Sequence, residues 1–347
     1  MITVRVHIRE TDINIFPYKN IPTVDIYFRA PLEGLISESL WHSSNRPIRR
    51  LGPSSFFANG RAIIIRYATP GELNKIKQLK PERVYYLIDD DFSALVDDVS
   101  LPEDYRNRQL QFASDRLPDI LDLTDSIVAP NPLIHRAYPD KTHLLLGPSL
   151  SSLATDFSHF DVIGKINLVF TGSRSHLADF ALIADVVADI CRHHGHVHFT
   201  SFLGEYVPDS LKGSANIINH KACSWPVFKR IMQTQRFHIA LAPQLGTAFN
   251  RARSINKILD HGAFGAAGLY SARSPISGAI EHGVNGLLID DQAESWRTAI
   301  LGLIEDISQA RKLAQAGCSL ASKLGDPETV RNFWISELFD GDMPEQS

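Results

Sequence analysis

The sequence predicts an α/β protein of two domains, each a doubly wound sheet, facing one another across a cleft. Three observations lead there. The chain has 347 residues, more than a single hydrophobic core usually organises. Short apolar runs alternate with helical segments along almost all of it, the pattern of a mostly parallel sheet covered by helices. The alternation lapses at residues 148–160, where Pro, Ser and Asp occur without a clear period, and this stretch is read as the linker.

In the first half, apolar runs at residues 2–8, 24–28, 62–67, 84–88, 126–129 and 143–146 are the strand candidates, with helices expected over 70–79 and 107–123. Residues 43–60, rich in Pro, Ser, Asn and Gly, read as a loop. A second series starts near Lys165. Its strand candidates are 166–171, 196–202, 215–218, 238–242 and 267–271, and its helices 176–193, 226–234, 254–264 and 293–316. A last helical stretch, 327–339, follows the turn Gly325-Asp326-Pro327. The expected domains are therefore 1–150 and 161–325, with 326–347 a helix and tail for which a return to the first domain is left open. Tandem α/β halves make the cleft between them the default ligand site.

Composition narrows the function classes. With 44% apolar and 21% charged residues, the chain is that of a soluble globular protein. A net charge of -4 argues against nucleic acid as a partner. The cluster Arg46, Arg49 and Arg50 reads either as a solvated loop or as a contact with phosphate or an anionic lipid surface. Three cysteines, Cys191, Cys223 and Cys318, are odd in number and far apart; they suggest small buried hydrophobes in a reducing cytoplasm rather than a disulfide framework. The N-terminus lacks a signal-peptide pattern, and no apolar run is long enough to span a bilayer. A cytoplasmic location is expected, with peripheral contact at the inner face of the membrane left open.

The most informative stretch is Ile239-Ala-Leu-Ala-Pro243, then Phe249-Asn-Arg-Ala-Arg-Ser254. A buried strand ends at Pro243, and after a short loop a helix is expected to open near Ser254, whose hydroxyl can cap it. Arg251, Arg253 and Lys257 lie in that loop and first turn. Helix-terminal amides together with cations make an anion site, and a diphosphate is the anion that suits the carboxyl end of a strand. Ordinary surface cations on an amphipathic helix are the competing reading. The Gly172-Ser173 turn, between a strand and a helix, is either a second wall of the same pocket or a plain connector; glycine would let the backbone approach a phosphate. Asp89, Asp90 and Asp91 end a strand of the first domain. Adjacent carboxylates repel unless solvated or bound to something. One of them could serve an acceptor hydroxyl, cap a helix or, less in keeping with the surrounding pattern, form an Asp-x-Asp metal site. His196 and His198 alternate on a strand in a spacing that can chelate zinc, but no carboxylate or second cysteine lies near them in sequence.

These motifs together resemble the donor-binding half of GT-B glycosyltransferases, which include retaining enzymes of bacterial cell-surface polysaccharide synthesis. The family's "IALAPL" strand, "FNRAKS" run and "K-x-LEY" helix are matched by residues 239–244, 249–254 and 257–261. Thr171-Gly-Ser-Arg-Ser-His-Leu-Ala-Asp179 is similar to its "TGS-x-x-H-x-x-D" opening, residues 280–289 to its "HG-x-NGLLV" turn, Trp296 to a tryptophan on the next helix, and residues 86–92 to a "DDDLF" strand end. The resemblance covers residues 165–300 well and residues 60–150 more weakly. It implies two Rossmann-like domains of GT-B architecture and transfer of a sugar from a nucleotide diphosphate sugar, with retention favoured. The nucleotide sugar is a co-substrate; no cofactor and no metal are expected. The acceptor would be a saccharide, a lipid-linked sugar or a protein. Implied donor-binding residues are Gly172, Ser173, Asn250, Arg253, Ser254, Lys257 and Asp260, with Asp260 placed on the nucleotide ribose; His176 joins Asp89, Asp90 and Asp91 as the catalytic candidates. One departure stands out. Many retaining families carry two glutamates eight positions apart, which here correspond to Ala252 and Asp260, although relatives with "FNRAKS" lack the first as well. A non-catalytic subunit of a polysaccharide-assembly complex and a sugar-nucleotide epimerase are the alternatives.

Overall fold

The structure is a computed structural model and describes residues 21–37, 46–162 and 164–342. Two six-stranded sheets account for its core. The first contains β1 (Arg49–Arg50), β2 (Ser55–Ala58), β3 (Arg61–Ile65), β4 (Arg83–Leu87), β5 (Ser126–Ala129) and β6 (Thr142–Leu145), in that spatial order. From β3 onward the strands are parallel, and β1 and β2 add an antiparallel edge. Ile63, Ile64, Tyr86, Ile127 and Val128 are fully buried, as expected of parallel strands covered on both faces.

The second sheet holds β7 (Ile166–Phe170), β8 (Val197–Ser201), β9 (Ile217–Asn219), β10 (Ile239–Ala242), β11 (Ala267–Ser271) and β12 (Leu287–Ile289). All its pairings are parallel, and the order is β12-β11-β10-β7-β8-β9. The chain therefore leaves β7 in one direction, returns, and continues from β10 in the other. The crevice above the carboxyl ends of β7 and β10 is the switch point where α/β sheets of this winding bind ligands. Trp296, on the helix Ala293–Glu305, is completely buried in the core beneath this sheet.

The helix Pro327–Phe339, capped by Asp326, lies on the first sheet rather than the second. Val330, Trp334, Ile335 and Leu338 pack with Phe28, Phe56 and Tyr85. The Trp334 indole donates to the Tyr27 carbonyl at 2.7 Å, and the Tyr85 hydroxyl to that of Glu337 at 3.0 Å.

Several expectations need correction. Residues 24–28 form no strand: an α-helical turn, Pro22–Val24, runs into a π-helical turn, Asp25–Arg29. Pro22 sits at a helix start, and the side chains from Thr23 to Phe28 are all buried, so the apolar run carried no strand-specific period. The expected loop over 43–60 contains, in its described part, the β1–β2 edge. Asn59 and Gly60 both have positive φ (44° and 73°), forming the two-residue turn that joins β2 to β3. The helix expected over 107–123 breaks at Arg116 into Glu103–Asp115 and Leu117–Leu121, with Pro118 in the first turn of the second piece. The strand candidate at 2–8 lies outside the described residues. Among the described residues no helix is long and apolar enough to cross a membrane.

Candidate active site

The wall of the cleft formed by the second sheet begins where β7 ends. A Cβ added at Gly172 would lie 2.1 Å from the Phe170 ring and 2.9 Å from the His176 Cβ, so this turn tolerates only glycine without rearrangement. Beyond β10 the chain makes a short helix, Ala248–Arg251, capped by Thr247, and then the longer helix Asn256–Phe264. Ser254 does not cap that helix. Its hydroxyl accepts from the Tyr27 hydroxyl at 2.9 Å and donates to the Asn256 side chain at 3.1 Å, so it ties the two domains together instead. Arg253 precedes the helix, so it shares no helical face with Lys257; the turn nevertheless brings both to one cavity.

Lys257 donates to the Thr171 hydroxyl at 2.8 Å and to Asp260 at 3.1 Å, and Thr171 donates to the same Asp260 oxygen at 3.1 Å. Arg253 is different: among the described residues it has no ion pair. One of its terminal nitrogens donates to His176 Nε2, its guanidinium lies 4.7 Å from the Phe249 ring centre, and its Nε is buried without a partner among the described residues. The other His176 nitrogen, Nδ1, is 2.9 Å from Asp179. Because arginine can only donate, the ring is the neutral tautomer with its proton on Nδ1. Burial, then the charge of Arg253, pushes the imidazole down to about 4. Burial alone would raise the Asp179 carboxyl, but the His176 ring, the Leu245 amide and Arg253 overrule it and hold it below the ordinary carboxylate range. Asn250 is buried and lines neither cavity described below; it braces the loop by donating to Asp179 and to the Leu245 carbonyl, at 2.8 and 3.0 Å. Where the sequence suggested a donor contact, the structure places Asn250 behind the residues that border the cavities.

The opposite wall belongs to the first sheet. Asp89 and Asp90, just past β4, both pair with Arg66, just past β3; Arg66 Nη1 lies 2.9 Å from Asp89, which also accepts from Thr23 at 2.8 Å. Arg66 takes a positive φ of 58°, rare for a residue with a side chain, while its carbonyl accepts from Tyr86. Burial raises the Asp89 carboxyl, opposed by the Arg66 charge. Asp91 separates from its neighbours: it caps the helix Phe92–Val96, accepting from the amides of Ser93 and Ala94, and does not line the cleft. Sequence reasoning missed Arg66, although a charged residue directly after an apolar strand is the same signal that singled out Asp89. It also missed Asp179, which ends the Thr171–Asp179 motif but lies too deep to suggest a role from pattern alone.

Two cavities adjoin here. The larger, about 640 Å³, lies between the walls and is bordered by Asp89, Asp90, Tyr105, Arg108, Arg253 and Ser254. The smaller, about 380 Å³, sits against the second domain, with Phe202, Trp225, Phe228, Thr171, Gly172 and Asp260 around it. Ser173, His176, Asn256 and Lys257 border both, so they form the rim where the cavities meet. Ala252 is buried in the core of the first domain, so a glutamate at this position would have to enter an apolar core. His196 and His198 join no cluster: among the described residues no three His, Cys, Asp or Glu side chains come together as a metal site.

No protein-family model matches the sequence, and neither does any curated protein. Solved structures do match the fold. Alr3699/HepE of Anabaena, crystallised with UDP-glucose, superposes with a TM-score of 0.56 at 14% identity, over 80% of this chain and 78% of that one. TarM gives a TM-score of 0.56 at 12% identity; the match covers 80% of this chain but 54% of TarM, so this protein spans about half of that relative. Sucrose-phosphate synthase from Thermosynechococcus elongatus gives 0.50 at 12% identity, over 78% and 71%. The two sheets, their parallel winding and these likenesses show the GT-B fold of two Rossmann-like domains.

Proposed function

We propose that this chain is a glycosyltransferase that moves a sugar from a nucleotide diphosphate sugar to an acceptor hydroxyl. The observation that carries the reading is the rim shared by the two cavities at the switch point, beside Arg253, which has no carboxylate partner among the described residues. The nucleoside enters the smaller cavity, where Phe202, Trp225 and Phe228 offer aromatic surface and Asp260 accepts from the ribose hydroxyls. The diphosphate lies across the rim, against Gly172-Ser173, Lys257 and Arg253. The sugar extends into the larger cavity, beneath Asp89 and Asp90. As the glycosidic bond breaks, the diphosphate gains charge, which fixed cations and turn amides stabilise without a metal ion. Asp89 or Asp90 orients the acceptor hydroxyl.

The crystallised complexes of HepE with UDP-glucose and of S. aureus TarM with UDP and α-GlcNAc-glycerol support this class of donor. The motif resemblance favours retention and a role in cell-surface polysaccharide or glycoconjugate synthesis, with a saccharide, lipid-linked or protein acceptor reached in the cytoplasm or at the inner face of the membrane. A thermal-shift screen of sugar nucleotides, followed by transfer assays with the stabilising donor, tests the reading. Stabilisation by none of them would overturn it. A second reading, a non-catalytic GT-B subunit, is favoured by the capture of both acceptor-side carboxylates by Arg66 and by the buried Ala252. Hydrolysis or transfer of the donor sugar by the pure chain would eliminate it.

A further inference from the structure

Arg253 is paired with a ring nitrogen where a carboxylate would be the ordinary partner. The arrangement is rigid. Both oxygens of Asp179 are engaged: Oδ2 with His176 Nδ1, and Oδ1 with the Leu245 amide and the Asn250 side chain, each at 2.8 Å. Asp179 is 2% exposed, so the carboxylate that orients the ring does not exchange it for water. The ring itself stands on the rim between the two cavities.

The charges around the ring are lopsided. Arg253 and Lys257 face it from the turn and helix that follow β10, and Asp179 from its own helix. Asp260 lies behind Lys257. Across the larger cavity stand Tyr105, Arg108, and Arg66 with Asp89 and Asp90, the last three already neutralising one another in part. Among the protein's own groups the nearest cations outnumber the one adjacent carboxylate, and the ring stays neutral. A diphosphate on the rim reverses that balance. It draws the Arg253 nitrogen away from His176 Nε2 and brings negative charge to the lone pair left behind.

We propose that His176 takes up one proton from solvent, on Nε2, when the diphosphate of a sugar nucleotide seats between Arg253 and Lys257. The proposal rests on the donor-site reading above. Loaded, the rim becomes a His–Arg–Lys cluster with a proton beside the group that gains charge as the sugar departs; empty, it avoids burying a third cation. Asp179 is the positioning residue, because it keeps Nε2 directed at the rim and supports the imidazolium once formed.

The sign follows from linkage. A ring whose proton affinity rises on binding makes the ligand bind more tightly as pH falls, by up to about tenfold per pH unit while the complex is protonated and the free protein is not. Calorimetry with UDP-, ADP-, GDP- and dTDP-glucose suits the question, because diphosphate diesters do not themselves titrate near neutrality. In paired buffers of different ionisation heat, uptake of up to one proton per ligand is expected between about pH 7 and about pH 5, with affinity rising toward acid. His176→Gln should abolish both effects. In the unmutated protein, the Nε2 resonance of His176 should move from the lone-pair to the protonated range on saturation, a readout that does not depend on the variant folding. Binding without proton uptake, or uptake that persists in His176→Gln, would overturn the proposal. Absence of binding by all four ligands would instead overturn the donor-site reading itself.

Discussion

On the wall of the cleft formed by the first sheet, Asp89 and Asp90 face a half-buried arginine, Arg66, which pairs with both. On the wall formed by the second sheet, Arg253 has, among the described residues, a neutral ring and an aromatic face as its side-chain partners, and Lys257 shares one carboxylate with Thr171. The first wall sets two carboxylates against one arginine; in the second, Arg253 and Lys257 stand near Asp179 and Asp260, but among the described residues the guanidinium of Arg253 pairs with neither, so its charge stays available to an anion. Electrostatics alone thus suits them to different ligands. Carboxylates held by an arginine accept from a neutral hydroxyl through directed hydrogen bonds, whereas a guanidinium without a carboxylate partner attracts an anion. In the proposed reaction these are the acceptor and the donor diphosphate.

Removing the cation of the first wall should have the largest effect. Arg66→Ala leaves half-buried Asp89 and buried Asp90 without their cation, and loss of one partner from a fully buried pair costs about 3–5 kcal/mol, an upper bound for carboxylates that border a cavity. Denaturant unfolding checks this, and Asp89→Asn in the Arg66→Ala background should recover part of the loss. A variant as stable as the parent would mean that solvent already screens the carboxylates. The same wall is then probed for catalysis. Asp89→Asn or Asp90→Asn should lower transfer by about a hundredfold while donor affinity holds. Asp91→Asn, which preserves a helix cap, should transfer at the parental rate. Undiminished transfer in both Asp89→Asn and Asp90→Asn would take the acceptor role away from this wall.

The charged wall should respond in binding rather than in folding. Arg253→Ala and Lys257→Ala should each weaken nucleoside diphosphate binding by about ten- to a hundredfold, the loss of one charge-assisted contact, with melting temperatures little changed. Unaltered affinity by calorimetry in both would remove them from the site. A smaller effect is expected at Asp260, which is both a partner of Lys257 and the candidate ribose acceptor. Asp260→Ala should lose about tenfold in affinity for the nucleoside diphosphate and discriminate less between ribose and 2′-deoxyribose. A mutant with the parent's full preference for ribose would leave Asp260 as a partner of Lys257 alone. Smallest of all is the expected response to EDTA. If protein cations neutralise the diphosphate, chelation leaves transfer nearly unchanged; abolition with rescue by a divalent ion would return Asp89 and Asp90 to consideration as ligands.

The legibility of these two walls in the sequence differs for a physical reason. The second sheet is all parallel, and its central strands β7, β10 and β11 are short, mostly apolar runs followed by turns, so local pattern located them. The first sheet carries an antiparallel edge whose strongest signal is Asn59-Gly60, and in the neighbouring turns at Pro22–Val24 and Asp25–Arg29 every side chain from Thr23 to Phe28 is buried, which erases periodicity. Ser254 shows the limit of cap reasoning: a serine before a helix usually satisfies an amide, but here a tyrosine from the other domain claims it.

Two α/β sheets, the glycine turn after β7 and the cations after β10 are matters of short-range periodicity and residue chemistry, and the amino-acid sequence determined them without help. Which charge faces which did not follow from it. Arg66 meets Asp89 and Asp90 only because β3 and β4 pair in parallel and end together. Arg253 meets His176 across 77 positions because the switch point sets β7 beside β10. Side chains on separate loops acquire partners from the relative placement of strands and domains. That placement is settled by the packing of whole cores, to which no single local segment holds the key.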